Sequence, residues 1–194
     1  PLRLVGSEMC IRDRLNGASR EEFVSALRPL FNNETWPLEL AWESRPFGDV
    51  NELRAAIQVA VLTADDSRRA ALIHDYPAMD ELLLADADEA ATISADRGSL
   101  GLTDLDDVQT ERITELSAAY RERFDMPFVA YLDTNDTVDR VIDAGVRRLA
   151  NSPEQEYRTA LGEIVEIAND RFDILLADAN PVRSSWDRKF TEVD

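Results

Sequence analysis

The sequence predicts an all-α protein, a single compact multi-helix bundle. Two observations carry that expectation. Apolar residues recur at i, i+3 and i+4 through nearly every segment, and only residues 127–132 read as strand-like. One extended segment has no partner with which to form a sheet, so helix-on-helix packing is what remains.

The elements follow in order. Residues 9–14, Met-Cys-Ile-Arg-Asp-Arg, match the translation of a transposase adapter used in sequencing libraries. Positions 1–14 are therefore expected to be a non-native extension, outside the fold. Residues 20–31 place Phe23, Leu27, Leu30 and Phe31 at helical spacing. Thr35-Trp36-Pro37 reads as a cap and first-turn proline opening a short helix through Trp42. After a turn at Gly48-Asp49, Leu53, Ile57, Ala60 and Val61 form one face of a third helix. A fourth spans residues 66–75, and Pro77 stops it, because the residue before proline disfavours the helical region. Residues 86–103 are the least regular, with Gly98 and Gly101 as breakers. A long helix is expected over 105–124, with Ile113, Leu116, Tyr120 and Phe124 in register. The strand-like piece comes next, then helices over 137–149 and 153–177. The helical domain thus occupies 15–180, and 181–194 is a tail without periodicity.

Composition excludes several functions. The chain of 194 residues is 44% hydrophobic and 31% charged, which describes a folded globule rather than a disordered one. No apolar run approaches the roughly 20 residues of a membrane span. With 39 acidic against 21 basic residues the net charge is −18, which argues against nucleic acid, whose binding is driven by basic surface. Asp75, Asp80, Glu81, Asp86, Asp88 and Glu89 crowd one stretch and read as a solvated face. Lys189 is the only lysine, and Cys10 the only cysteine, so neither a disulfide nor a cysteine metal site is available. The expected location is cytoplasmic, since no redirecting signal is visible in the C-terminal residues.

The last long helix carries a charge in an unexpected place. Its apolar stripe runs through Tyr157, Leu161, Ile164, Val165, Ala168, Phe172, Leu175 and Leu176. Arg171 lies about 40° from the Tyr157 direction, on the flank of that stripe rather than on the solvent face. Three readings are open: it snorkels to water, it pairs with a buried acid, or it faces a cavity that holds an anion. A planar guanidinium fork suits a carboxylate.

Several motifs then point to one family. Arg121-Glu122-Arg123-Phe124-Asp125-Met126-Pro127-Phe128-Val129 resembles an R-x-R-F-G-F-P-F-V segment. Arg148-Leu149-Ala150-Asn151, Glu154 to Glu156, Ala160-Leu161-x-Glu163-Ile164 and Asn169-Asp170-Arg171-Phe172 continue it. Upstream, Leu15-Asn16, Trp36 and Arg45-Pro46-Phe47 match its opening elements. Together they resemble the 2-oxo-4-hydroxy-4-carboxy-5-ureidoimidazoline (OHCU) decarboxylases, cofactor-free lyases that yield (S)-allantoin in urate breakdown. The resemblance implies an all-α bundle, no cofactor and no metal, a small anionic substrate, and commonly a homodimer. It implies that Arg171 contacts substrate and that main-chain amides of Pro127-Phe128-Val129 line the pocket.

The resemblance also assigns a catalytic set, and here the residue types change. The family carries His-Pro at a helix end, then Ser-x-x-Glu-Gln with its Glu about 20 positions after the His. In this chain Tyr76 stands at the His position and Pro77 is kept. Anchored on Leu100-Gly101-Leu102, the Glu becomes Asp96, the Gln becomes Arg97 and the Ser becomes Ile93. Such a reaction needs a held carboxylate and one proton delivered to one face. The catalytic candidates are accordingly Tyr76 and Asp96, and the substrate-binding candidates Pro77, Arg97, Phe128, Val129 and Arg171. His74, the only histidine, faces away from Tyr76 if the helix persists and shares its side if the chain is extended. Three functions stay open: a divergent OHCU decarboxylase, a decarboxylase of another small anionic heterocycle, and an inactive relative that binds or supports other molecules.

Overall fold

Pro29 divides the first predicted helix. It lacks an N–H and its ring crowds the preceding turn, so α2 (Arg20–Leu27) ends and a tighter 3-10 turn (Arg28–Phe31) takes over. Leu27, Leu30 and Phe31 remain buried across the change, so the expected apolar face survives it. The computed structural model describes residues 8–32, 34–84, 105–132 and 137–179. Every regular element among these residues is helical, as the periodicity requires, and none is long and apolar enough to cross a membrane. The whole irregular stretch 86–103, with Ile93, Asp96 and Arg97, and the tail lie outside the described residues.

The chain divides into two compact units, Pro1–Asp65 with Val165–Asp194, and Asp66–Ile164. The first contains α1 (Glu8–Gly17), α2, the 3-10 turn, α3 (Trp36–Glu43) and α4 (Val50–Thr63). Its helices start as the sequence indicates. Ser19 and Glu22 form a reciprocal capping box on α2, Pro37 lies in the first turn of α3, and Asp49 caps α4. α3 packs against both α2 and α4, and α1 packs against α4. Two separated motifs meet here. The Asn16 amide donates to the Phe47 carbonyl and accepts from the Phe47 N–H, both at 2.8 Å. Arg45 lies 3.9 Å over the Trp42 ring and donates to the carbonyls of Asn16, Ala18 and Trp42. α1 runs through the adapter-like residues: Ile11 and Leu15 are fully buried, and Arg12 donates to the Gly48 carbonyl at 2.7 Å.

The second unit contains α5 (Asp66–His74), α6 (Met79–Leu84), α7 (Asp107–Phe124), α8 (Val138–Arg148) and the first part of α9 (Pro153–Ala179). α7 packs against α6 and α8 around Met79, Ile113, Leu116, Tyr120, Phe128 and Ile142. α6 falls in the first part of the acidic stretch that reads as a solvated face, and Met79 at its start is buried. The strand-like residues 127–132 form no strand. Phe128 and Val129 fill the core, and among the described residues no strand is present to pair with the segment.

Gly145 interrupts α8 for a packing reason. A Cβ there would approach Leu116 Cδ2 to 2.5 Å and Phe128 Cζ to 2.8 Å, so only glycine lets α8 lie this close to the segment. α7 ends at Asp125, which is left-handed (φ 55°, ψ 36°) and donates its N–H to the Arg121 carbonyl. The matched family pattern has glycine there, and an L-residue pays a conformational penalty in that region. Asp125→Gly is expected to stabilise the protein by about 1 kcal/mol, measured as a higher urea midpoint at unchanged m-value.

Candidate functional site

α5 continues regularly to its end: the Asp75 N–H still donates to the Ala71 carbonyl at 2.9 Å. One residue later the chain tightens, and Tyr76 donates to Ile73 instead, at 3.1 Å. Pro77 forces that change by excluding the helical region at Tyr76. The geometry is therefore a turn, intermediate between the two arrangements considered for His74. Its consequence is that His74 and Tyr76 both line one open cleft of about 600 Å³. His74 is exposed, whereas Tyr76 is buried, with 7% of its surface accessible.

The same cleft is lined by Asp75, Pro77, Ala78, Glu81, Arg121, Asp125, Met126 and Pro127. Arg121 reaches from α7 to α6, donating to Asp80 at 3.3 Å and Glu81 at 2.9 Å. Its guanidinium is nearly half exposed, so these pairs fix α6 more than they stabilise the unit. Among the described residues no three His, Cys, Asp or Glu side chains converge to hold a metal ion.

The predicted residues distribute as follows. Tyr76 and Pro77 lie in the cleft together with Pro127. Phe128 and Val129 follow directly but are almost wholly buried, and neither lines the cleft. Their backbone N–H groups, two consecutive donors, make no hydrogen bond among the described residues. Unpaired buried donors are rare and mark a place where a ligand or water belongs. Arg171 belongs to the other unit, where one guanidinium nitrogen donates to the carbonyls of Pro29 and Leu30 and to Asn32 Oδ1. These three partners are uncharged oxygens at the end of the 3-10 turn. Asp96 and Arg97 fall outside the described residues.

The sequence reading missed the group that holds the 127–131 backbone. Glu156 is fully buried, and its Oε1 accepts from Arg148 Nε at 2.9 Å and Nη2 at 2.5 Å. Asn151 donates to Oε2 at 2.7 Å, and the Tyr120 hydroxyl lies 3.2 Å from Oε1. Burial raises the Tyr120 hydroxyl well above its ordinary range, with Glu156 adding to the shift and Arg148 opposing it, so Tyr120 stays protonated and donates. Arg148 Nη1 donates to the Val129 carbonyl at 3.0 Å and to Glu163 at 3.3 Å, and the Tyr131 N–H donates to Glu163 at 2.6 Å. One signal could have exposed this: Glu156, Ala160 and Glu163 share a helix face, and Ala160 is apolar.

Glu156→Ala would leave the Arg148 guanidinium, 14% exposed, without its main counter-charge. Breaking such a buried pair costs about 3–5 kcal/mol, so chemical denaturation should show a loss of that size.

Comparison with known proteins agrees with the motifs. A family model described as OHCU decarboxylase matches residues 16–173. A Haloferax volcanii protein named 2-oxo-4-hydroxy-4-carboxy-5-ureidoimidazoline decarboxylase is 36% identical over 160 residues, 81% of this chain and 91% of that one. A Mus musculus protein of the same name is 33% identical over 177 residues, 88% of this chain and 96% of that one. In fold, the chain is similar to the crystal structure of (S)-allantoin synthase, with a TM-score of 0.66 and 22% identity. That match covers 86% of this chain and 54% of the solved one, so the chain spans about half of its length. With the family model covering most of the sequence and relatives above 30% identity matched along nearly their full lengths, the chain belongs to the OHCU decarboxylase family.

Proposed function

We propose that this protein decarboxylates 2-oxo-4-hydroxy-4-carboxy-5-ureidoimidazoline to (S)-allantoin, without a cofactor, using Tyr76 in place of the family histidine. The observation that carries the proposal is a pair of N–H donors, at Phe128 and Val129, that make no hydrogen bond among the described residues and lie in a buried non-helical segment. Such donors hold an oxyanion or carboxylate without placing a second charge in a low-dielectric site. They adjoin Pro127, which shares the cleft with Tyr76.

The chemistry asks little more. Loss of carbon dioxide leaves an electron pair that delocalises into the imidazolone ring, and one proton must then arrive from one side. A tyrosine hydroxyl, ordinarily titrating near pH 10, is protonated at neutral pH and can supply that proton. In this reading Arg171 and Arg97 grip the carboxylate, Asp96 orients the ureido group, and Pro77 shapes the turn that presents Tyr76. The catalytic domain is placed at 15–180, in the cytoplasm, as a homodimer.

The test supplies substrate freshly generated from urate and follows allantoin formation by circular dichroism. The wild-type protein is expected to exceed the spontaneous rate and give the (S) product. Tyr76→Phe should lose about 100-fold or more in kcat, while His74→Ala stays within twofold or so. The wild-type kcat should be flat between about pH 6 and 8, because a histidine donor would titrate in that interval and a tyrosine does not. Racemic product at the spontaneous rate would overturn the proposal in favour of an inactive relative. Full activity in Tyr76→Phe with loss in His74→Ala would move the proton donor to His74.

A further inference from the structure

We infer that Glu163 is a positioning residue: acting through the backbone of residues 129–131, it sets the two N–H donors of Phe128 and Val129 for a carboxylate. The inference rests on the decarboxylase reading and extends it to a side chain that need not touch substrate. Residues 127–132 have no regular secondary structure, so no ladder or helix fixes their peptide planes. Two side-chain contacts take that role. Arg148 Nη1 donates to the Val129 carbonyl at 3.0 Å, and Glu163 Oε2 accepts the Tyr131 N–H at 2.6 Å. They grip the peptides on either side of Ala130 in opposite chemical sense, a donor on the Val129 carbonyl and an acceptor on the Tyr131 N–H.

The distances separate two possible roles for Glu163. Its bond to Tyr131, at 2.6 Å, is short and charge-assisted, whereas its contact with Arg148 is 3.3 Å. Arg148 already has its main counter-charge in Glu156, which takes two of its nitrogens. Of these two contacts, the one with the peptide is the shorter and the one with Arg148 the longer. On the other side, Phe128 is wedged: its ring lies 4.8 Å from Tyr120 and 5.3 Å from the Arg148 guanidinium carbon. With the ring fixed at 128 and the backbone fixed at 129 and 131, the intervening peptides have little freedom to turn. Among the described residues the N–H groups of 128, 129 and 130 make no hydrogen bond, and those of Phe128 and Val129 belong to the two buried residues. Holding reactive donors within a narrow angular range is what a supporting shell contributes to catalysis.

Glutamine and alanine at 163 distinguish a peptide-holding role from an ion-pair role. Glu163→Gln keeps an oxygen acceptor for the Tyr131 N–H but removes the charge; Glu163→Ala removes both. Two readouts are taken on wild type and both variants, with thermal unfolding as the check on folding. The first is turnover of freshly generated substrate. The second is the movement of the Phe128 and Val129 amide resonances in 15N spectra on titration with sodium acetate, a minimal carboxylate that requires no turnover. We expect Glu163→Gln to keep kcat within about threefold, and Glu163→Ala to lose about tenfold or more. The acetate-dependent amide shifts should persist in wild type and in Glu163→Gln and disappear in Glu163→Ala. Equal damage in both variants would assign Glu163 to the ion pair and overturn the inference. So would acetate shifts retained in Glu163→Ala, or absent from the wild type. A wild-type protein that shows the shifts but no turnover would refute the decarboxylase reading alone, leaving the positioning role decided by the amide spectra.

Discussion

A carboxylate with no exposed surface has to be matched locally, and Glu156 is matched by Arg148, Asn151 and Tyr120. Left unmatched it would cost several kcal/mol. That requirement fixes Arg148, because two of its nitrogens are engaged on Glu156 and the third is then directed at the Val129 carbonyl. Arg148 is the last residue of α8, and Glu156 lies in the first turns of α9, so the pair sets the corner between them. Gly145, one turn earlier, allows the close approach of Phe128 on which the arrangement depends. An irregular stretch of backbone can stay inside a helical core because this corner holds it.

Much of this fold is legible in the sequence, because helical periodicity is a local property. Phe23, Leu27, Leu53, Ile57, Ile113, Leu116, Tyr120, Leu161 and Phe172 are all buried where their spacing puts them. The misses are places where a tertiary or backbone effect outweighs the period. Pro29 converts the end of a helix to a 3-10 turn without disturbing its apolar face. The Met79 helix is hidden among acids, and Met79 at its start is buried. Residues 127–132 have strand composition but no strand to pair with, which no local pattern reports.

The site is legible in a different measure. Tyr76 and Pro77 were identified through a motif, and the cleft they line includes Pro127 from a second motif. The off-stripe position of Arg171 follows from counting along its helix, whereas its oxygen partners at 29, 30 and 32 come from chain some 140 residues away. Glu156 and Glu163 stand in family-like motifs, and no local pattern reports that Glu156 is buried. Helix counting shows that they share a face, but only the tertiary structure shows that the face turns inward.

The charge around the cleft bears on why its anion contacts should come from the main chain. Asp75, Glu81 and Asp125 line it, and the Arg121 guanidinium is engaged with Asp80 and Glu81. A substrate carboxylate approaching this rim meets repulsion of about 1 kcal/mol per charge at 4 Å in water, and more where water is excluded. An arginine on this rim is drawn into pairs with the acids, as Arg121 is. Peptide N–H groups cannot be neutralised in that way. They carry no net charge to desolvate, and at Phe128 and Val129 they have no competing acceptor among the described residues. In the proposed reaction, donors of this kind would add to the grip of the proposed arginines without adding a charge for the rim acids to pair.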